Sequence, residues 1–262
     1  MFRFDEGWTY RMPAHFLGGP GDGMADTLYD DVTSVAIAYT TDEEQLSRYV
    51  PDAFEILEPV ISVNYQRCPH VQWMGGAGYN LIAVATPARH LSSGVAGAFI
   101  LVIWENRTEP ILHGREETGM PKVYADIPEH RLLDGHLTAE ASYDGRLFVE
   151  IQAQLGSELT ADQLAAMNDA GRVDQLGWRY IPNLGRPGAA LSQATLFPVV
   201  MENQSGREAV GTITWTKADQ SFGMFNSPIV DALADLPILE YRMCALTKGQ
   251  VHLRGDLARE LE

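Results

Sequence analysis

The sequence predicts a single α+β domain in which antiparallel β-strands predominate, curled into a barrel, with a few short helices. Short apolar, β-branched runs recur through most of the chain, and glycine-containing breaks separate them at the spacing typical of β-turns. The 262 residues suffice for one large core, since a domain of this size buries roughly 70–75% of its unfolded surface.

The first half of the predicted fold runs from residue 1 to residue 106. Residues 1–31 are rich in Gly, Pro and Asp, which predicts an irregular N-terminal arm. Between the first two predicted strands, Thr41 and Glu44 have the spacing of a capping box, and this predicts a helix that Pro51 ends. From their apolar and β-branched runs, strands are predicted at 32–41, 58–68, 79–88 and 98–106.

The second half repeats this pattern of strands and turns. Gly145 separates the alternating segments 135–145 and 146–156, which predicts a hairpin. Thr160 and Gln163 form a second candidate capping box, before a short helix that Gly171 closes. Further strands are predicted at 177–184, 191–201 and 208–217, and segment 233–253 favours one or two more before a charged tail.

Composition disfavours several classes of partner and location. A net charge of −16 and a pI near 4.7 argue against nucleic acid and anionic membranes. The N-terminus lacks the continuous apolar stretch of a signal peptide. The longest apolar run, from Val95 to Trp104, is shorter than the ~20 residues that span a bilayer. With Cys68 and Cys244 as the only cysteines, we expect a cytoplasmic protein with reduced thiols.

Conventional catalytic and cofactor motifs are absent. The sequence has no G-x-x-x-x-G-K-[ST] phosphate loop, no G-x-G-x-x-G that opens a helix, and no G-x-S-x-G. Its histidines are dispersed, whereas a zinc site needs three or four converging ligands. We therefore predict no metal and no cofactor, and we interpret Cys68 as an inert buried thiol.

Lys122 is the strongest candidate for chemistry, and it is one of only three lysines in the chain. The other residues of its GMPKVY segment are apolar, so we expect its amine in a low-dielectric site, with Arg115 adding a positive field. A neutral amine attacks a ketone and forms an iminium that withdraws electrons from the neighbouring carbon. A surface lysine at a turn is the alternative interpretation.

Four ordered segments resemble the acetoacetate decarboxylase-like superfamily: 38–59, 114–122, 178–184 and 215–237. The second, GREETGMPK, is similar to the family's active-site motif G-R-E…G-x-P-K. The resemblance implies a single domain over residues 1–262 with a cone-like, closed, largely antiparallel β-barrel. It further implies a homo-oligomer, a dimer or tetramer, and Lys122 as the nucleophile that forms a Schiff base.

The resemblance also suggests residues close to Lys122 in sequence. Met120 would line the pocket two residues before the lysine. Arg115 and Glu116 match the family's R-E pair, with Arg115 as a candidate to bind a carboxylate and Glu116 as the candidate for proton transfer. A structural ion pair between these two is the alternative.

More distant candidates complete the predicted site. Asn64 and Tyr79 stand in segments where the family's catalytic carboxylates would be sought. Thr118, one helical turn before the lysine, and Gln250 on the last strand are candidates to orient the substrate or a water. A structural role is the alternative for each of the last two and for Tyr79.

One departure from the family pattern bears on the reaction. True decarboxylases carry a second lysine directly after the first, and here that position is Val123. We therefore predict a Schiff-base lyase acting on a small oxo acid, by condensing a 2-oxo acid such as pyruvate with an aldehyde and eliminating water. Decarboxylation of acetoacetate or another β-keto acid is the alternative, and a non-catalytic barrel that binds small molecules is the second alternative.

Overall fold

The computed structural model describes residues 2–20, 26–218 and 223–262, which contain sixteen strands and four α-helices. The strands are β1 (Trp8–Arg11), β2 (Leu17–Pro20), β3 (Asp26–Thr40), β4 (Phe54–Ile56), β5 (Val60–Cys68), β6 (His70–Val71), β7 (Tyr79–His90), β8 (Ala96–Glu105), β9 (Lys122–Tyr124), β10 (Arg131–Leu133), β11 (His136–Tyr143), β12 (Arg146–Glu158), β13 (Arg172–Pro182), β14 (Ala189–Trp215), β15 (Glu240–Arg254) and β16 (Arg259–Leu261). The helices are α1 (Glu43–Ser47), α2 (Thr108–His113), α3 (Ala161–Asp169) and α4 (Gly223–Asp235), and a π-helical turn spans Gly114–Thr118.

Fourteen of the described strands form one sheet. Its main path runs in the order β10-β11-β12-β14-β13-β8-β7-β5-β3-β15, and β15 also pairs with β14. The path through β14, β13, β8, β7, β5, β3 and β15 therefore returns to β14, and these seven strands are called the ring. Within the described chain, the strand pairs are antiparallel except β13–β8 and β8–β9. This confirms a predominantly antiparallel sheet with a few helices, while the cone-like closed barrel stays a prediction.

Strand β5 shows how alternation divides the residues of this ring between two environments. Successive side chains of a strand point to opposite faces. Ile61, Val63 and Tyr65 are fully buried in the largest apolar cluster, whereas the intervening positions from 62 to 66 are only partly buried and face a cavity. The core thus lies on one face of the strand and the cavity on the other.

The predicted irregular arm contains regular structure. β1 and β2 pair as a separate antiparallel hairpin, and β3 begins at Asp26 rather than at residue 32. The early start of β3 follows from its neighbours, because Thr27 and Leu28 pair with Leu253 and His252 of β15. This pairing is between residues far apart in sequence and leaves no local pattern.

The two predicted capping boxes have different outcomes. Thr160 and Gln163 form both reciprocal hydrogen bonds at the start of α3, which confirms the second. The first is wrong, because α1 is capped by the side chain of Asp42, which accepts from the Gln45 amide, while Thr41 is buried. The hairpin at Gly145 is confirmed, with Asp144 and Gly145 both at positive φ, as a tight turn between twisted strands requires.

Two further segments differ from the predicted strands. The strands predicted at 191–201 and 208–217 are one continuous strand, β14, of 27 residues, which ends at Trp215. The segment predicted as strand from residue 233 begins inside α4, where Val230 and Leu233 are buried three residues apart. Pro228 within this helix weakens its local helical signal.

Two other sequence-based expectations concern membranes and thiols. None of the described helices combines the length and the apolar character needed to cross a bilayer. Cys68 is a free, buried thiol whose pKa is raised by burial, in agreement with its interpretation as inert.

Candidate functional site

Lys122 is the first residue of β9, which runs parallel to the end of β8. Lys122 itself pairs with Ile103 of β8. The π-helical turn Gly114–Thr118 precedes it and ends at Gly119, whose φ of 73° lies in the left-handed region that favours glycine. The lysine side chain passes over Gly114, where a Cβ atom would lie 2.4 Å from the lysine Cδ. The glycines of the GREETGMPK segment thus permit both the turn and the position of the amine.

The amine of Lys122 contacts a buried carboxylate. Its Nζ lies 2.7 Å from Oε1 of Glu105, and the two side chains are 12% and 0% exposed. Despite this short distance, neither Glu105 oxygen has a hydrogen bond of favourable geometry within the described residues. Burial raises the pKa of Glu105, and the charge of Lys122 opposes this effect. A buried, poorly bonded carboxylate beside an amine is typical of a reactive site.

Aromatic side chains form a polar wall beside Glu105. The Tyr79 hydroxyl donates to the Tyr29 hydroxyl at 3.2 Å, and Trp73 Nε1 donates to the same oxygen at 3.1 Å. Burial raises the pKa of both tyrosines, so they remain protonated at neutral pH.

On its outer side the π-helical turn is held by a cluster of charges. Glu117 Oε2 lies 3.3 Å from His113 Nε2 and 3.0 Å from Arg11 Nη2, and Arg11 Nε contacts the other carboxylate oxygen. Burial opposes ionisation of Glu117, but the hydrogen bonds and charges of His113 and Arg11 lower its pKa to about 2. Arg11 belongs to β1, so this cluster attaches the N-terminal hairpin to the site.

A cavity of about 380 Å³ extends from the Lys122–Glu105 pair between the strands of the ring. This size is typical of ligand sites. Among the described residues that line it, Lys122, Glu105 and His113 are the ionisable groups other than tyrosines. No group of three or more metal-binding side chains occurs in the described part of the chain. Most of the remaining wall is apolar, including Leu81, Ala83, Ala85, Ala98, Ile100, Ile103, Phe197, Val199, Val251 and Leu253.

The structure places five of the predicted site residues at this cavity: Lys122, Tyr79, Asn64, Thr118 and Met120. Asn64 Oδ1 accepts a hydrogen bond from a serine hydroxyl at 2.7 Å, and the Thr118 hydroxyl donates to a carbonyl of the π-helical turn at 2.9 Å. Met120 is buried and packs against β13. Their locations agree with the prediction, and their roles remain predictions.

Arg115 and Glu116 do not line the cavity. Arg115 is exposed, and its Nη1 donates to the Lys122 carbonyl at 3.0 Å. Glu116 is half-buried on the same turn. The turn directs Gly114 and Thr118, four residues apart, toward the cavity and carries the three intervening side chains away from it. Of the Glu105 and Glu116 carboxylates, the one at the cavity is Glu105, and the role of Glu116 in proton transfer stays a prediction.

Gln250 also lies outside the cavity. Its Nε2 donates to Oδ1 of Asp30 at 2.9 Å, across the pairing of β15 with β3. Along β15 the neighbouring residue Val251 faces the cavity, and alternation turns Gln250 to the opposite face.

Sequence reasoning missed Glu105 and gave His113 no role. Glu105 directly follows the longest apolar run of the chain, on a strand buried on both faces. Glutamate is rarely buried without a partner, so its place at the end of that run was the available signal.

The family model for acetoacetate decarboxylase (ADC) matches residues 11–257. An acetoacetate decarboxylase of Burkholderia vietnamiensis is 30% identical over 135 residues, which are 52% of this chain and 52% of that protein. Another, of Paraburkholderia phytofirmans, is 33% identical over 118 residues, 45% of this chain and 44% of that protein. The chain thus spans about half the length of the curated relatives it matches.

The similarity to solved structures extends over more of the chain than the similarity to the curated sequences does. The acetoacetate decarboxylase of Legionella pneumophila superposes with a TM-score of 0.76 at 16% identity, covering 100% of this chain and 92% of that one. The enduracididine biosynthesis enzyme MppR, complexed with the condensation product of pyruvate and imidazole 4-carboxaldehyde, superposes with a TM-score of 0.70 at 17% identity, covering 91% and 90%. At these identities the likeness shows the fold alone.

Proposed function

Because the chain belongs to the acetoacetate decarboxylase family, we propose that it is an enzyme whose Lys122 forms a Schiff base with the carbonyl group of a small oxo acid. The observation that carries this proposal is the 2.7 Å contact between Lys122 Nζ and the fully buried Glu105, at a largely apolar cavity. Water-poor surroundings strengthen the electrostatic effect of such a pair on a bound substrate.

Glu105 supplies the proton transfers that imine formation needs. It accepts a proton from the Lys122 ammonium, and the neutral nitrogen attacks the carbonyl carbon. The nitrogen loses a second proton after the attack, and Glu105 passes both protons to the former carbonyl oxygen, which leaves as water while the C=N bond of the iminium forms. Glu105 is within hydrogen-bond reach of the amine, as a general acid–base group must be.

From the iminium we propose aldol-type condensation as the main reaction. Glu105 removes a proton from the carbon next to the iminium, and the resulting enamine attacks the carbonyl carbon of an aldehyde. The aldehyde oxygen takes the proton held by Glu105 and becomes a hydroxyl group. Glu105 then removes a second proton from the carbon next to the iminium, the hydroxyl group leaves as water, and hydrolysis of the iminium releases the unsaturated oxo acid and the Lys122 amine. With Arg115 outside the cavity, His113 is the candidate to bind the substrate carboxylate. The MppR complex with a pyruvate condensation product supports this choice by analogy.

Decarboxylation of acetoacetate or another β-keto acid is the second candidate. The curated relatives named acetoacetate decarboxylase favour it. In this reaction the bond to the carboxylate breaks, carbon dioxide leaves, and the electron pair passes to the iminium. Val123 stands where the decarboxylases have a second lysine, so this chain lacks a second cation directly beside the amine. We therefore rank decarboxylation below condensation.

Reductive trapping tests the proposal. The protein is incubated with pyruvate or acetoacetate, reduced with borohydride and analysed by peptide mass spectrometry. We expect an adduct on Lys122 that is absent from Lys122→Met and retained in Lys248→Met, a matched change at an exposed lysine. A pyruvate-sized adduct indicates condensation chemistry, and an acetone-sized adduct from acetoacetate indicates decarboxylation. The absence of an adduct with both acids would contradict the proposal and would favour a non-catalytic protein that binds small molecules.

The family also supports proposals about the whole protein. We propose that residues 1–262 form a single domain with a cone-like closed barrel, that the protein is a cytoplasmic homo-oligomer, and that it acts without a metal or cofactor.

A further inference from the structure

The cavity is longer than a small oxo acid requires. Glu105 and Ala98 both line it and lie seven residues apart on β8. At the usual rise of a β-strand this separation is roughly 20 Å. A pyruvate-sized group bound to Lys122 occupies only the Glu105 end, so most of the cavity remains for another part of the reacting molecules.

The wall of this remaining space has no counter-charge. Lys122 is the sole lysine or arginine among the described lining residues, and Glu105 already faces it. Beyond this pair and His113, which acts on Glu105 and so lies at the same end, the wall is apolar except for uncharged side chains, chiefly Ser62, Asn64 and Gln66 along β5. A charged group placed there would lose its hydration without gaining a partner. The space therefore fits an uncharged chain.

The far end of the cavity adjoins an open groove of about 410 Å³. Ser62, Ala98 and Val173 line both spaces. Arg172 and Asp174 at the groove form an ion pair with each other at 2.8 Å. A chain that follows β8 past Ala98 therefore passes toward solvent at the groove.

Resting on the proposed condensation, we propose that its aldehyde partner carries an extended, uncharged and mainly apolar chain, which lies along β5 and β8 from Lys122 toward Ala98. After carbon–carbon bond formation this chain is held covalently to Lys122 in the product iminium. Methyl ketones of increasing length are the simplest mimics of that intermediate, since each forms an imine with its alkyl chain in the cavity.

The test measures the ketone concentration that gives half-maximal borohydride trapping on Lys122. Each buried methylene contributes ~0.8 kcal/mol, which is about fourfold in affinity. From methyl propyl ketone to methyl pentyl ketone we therefore expect a decrease of roughly 15-fold. The oxoheptanoate with the same carbon count and a terminal carboxylate is the matched charged probe, and we expect it to lose most of this gain. Lys217 and Lys248 do not line the cavity, so trapping on them is an internal control that should not depend on ketone length.

A variant with a narrower cavity tests where the alkyl chain of the ketone lies. In Ala98→Leu the ratio of half-maximal concentrations for the two ketones is expected to fall at least fivefold relative to wild type. Ala165→Leu, the same change at an exposed site on α3, keeps the wild-type ratio. A pyruvate or acetoacetate adduct without any dependence on ketone length, or equal trapping of the charged probe, overturns this inference and leaves the proposed function standing. No adduct with any probe overturns both.

Discussion

Glu105 combines features that oppose stability and that fit the proposed chemistry. It is fully buried, lacks a well-formed hydrogen bond among the described residues, and has a pKa raised by burial. Placing such a group inside a protein costs free energy unless a partner compensates it, and here the partner is the amine of Lys122. In the proposed mechanism, the pair keeps a proton available beside the nucleophilic amine.

Replacing Glu105 and Glu116 one at a time tests which of the two carboxylates transfers the proton. We expect Glu105→Gln to slow reductive trapping at Lys122 by roughly 10²–10⁴-fold, the usual contribution of general acid–base catalysis. Glu116→Gln, a matched change on the π-helical turn outside the cavity, is expected to trap within about twofold of wild type. Trapping rates with pyruvate, measured on folded variants, provide the comparison. A normal rate in Glu105→Gln together with a slow rate in Glu116→Gln would return the assignment to the residue that the motif indicates.

The site shows which functional residues a local sequence pattern can predict and which it cannot. Lys122, Thr118 and Met120 were predictable because the motif that positions them is contiguous in sequence. The partner carboxylate was not, since Glu105 meets the amine only through the pairing of β9 with β8. Its position depends on a parallel contact of three residues, which has no sequence signature of its own.

At the scale of elements, sequence prediction succeeded where the determining interactions are local. The Thr160 capping box and the turn at Gly145 are decided within a few residues. The start of β3 and the continuity of β14 depend on partners far along the chain. Helix α4 depends on tertiary burial that overrides a proline.

The attachment of the β1–β2 hairpin to the π-helical turn depends on Glu117. We expect Glu117→Gln to lower the free energy of unfolding by about 1–2 kcal/mol at pH 7, a value discounted for screening because Arg11 is 41% exposed. The pKa of Glu117 falls from its usual 4.5 to about 2 on folding. Its contribution is therefore fully present above about pH 5 and is lost as the pH falls toward 2.

Urea unfolding of wild type and Glu117→Gln between pH 3.5 and pH 7 checks this dependence. The difference between the two proteins should narrow below about pH 4.5. Glu109→Gln, at an exposed position on α2, is the matched control and should change stability by less than about 0.5 kcal/mol. A constant difference over this range would show that the carboxylate does not stabilise the hairpin through its charge.

For the whole molecule, the family fold persists at low sequence identity. The Legionella structure superposes over the full chain at 16% identity. In the strands of the ring, residues that pack in the core alternate with residues that face the cavity, as on β5. Cavity residues such as Asn64 can therefore change without altering the packing of Ile61 or Val63.

The predicted homo-oligomer is testable through the aromatic residues of the N-terminal hairpin region. Phe4, which is 67% exposed, packs against the rings of Phe2 and Tyr10, and Phe16 is 78% exposed. Contiguous exposed apolar side chains mark interaction surfaces. We expect sedimentation to show a dimer or tetramer, and Phe4→Ser with Phe16→Ser to weaken association at least tenfold. Leu184→Ser, at a fully exposed loop position, is the control. A monomeric wild-type protein would contradict the prediction.

The position of β15 also constrains how the protein is made. This strand, Glu240–Arg254, lies between β3 and β14 and completes the pairing path around the cavity. Synthesis proceeds from the N-terminus, so β3, β5, β7 and β8 leave the ribosome long before the strand that completes their ring. Until Arg254 has emerged, the nascent chain exposes an unpaired edge of β3 and the apolar lining of the unfinished cavity. The cavity can be complete only after translation has passed Arg254, and until then a chaperone that shields exposed apolar strands would have a binding site.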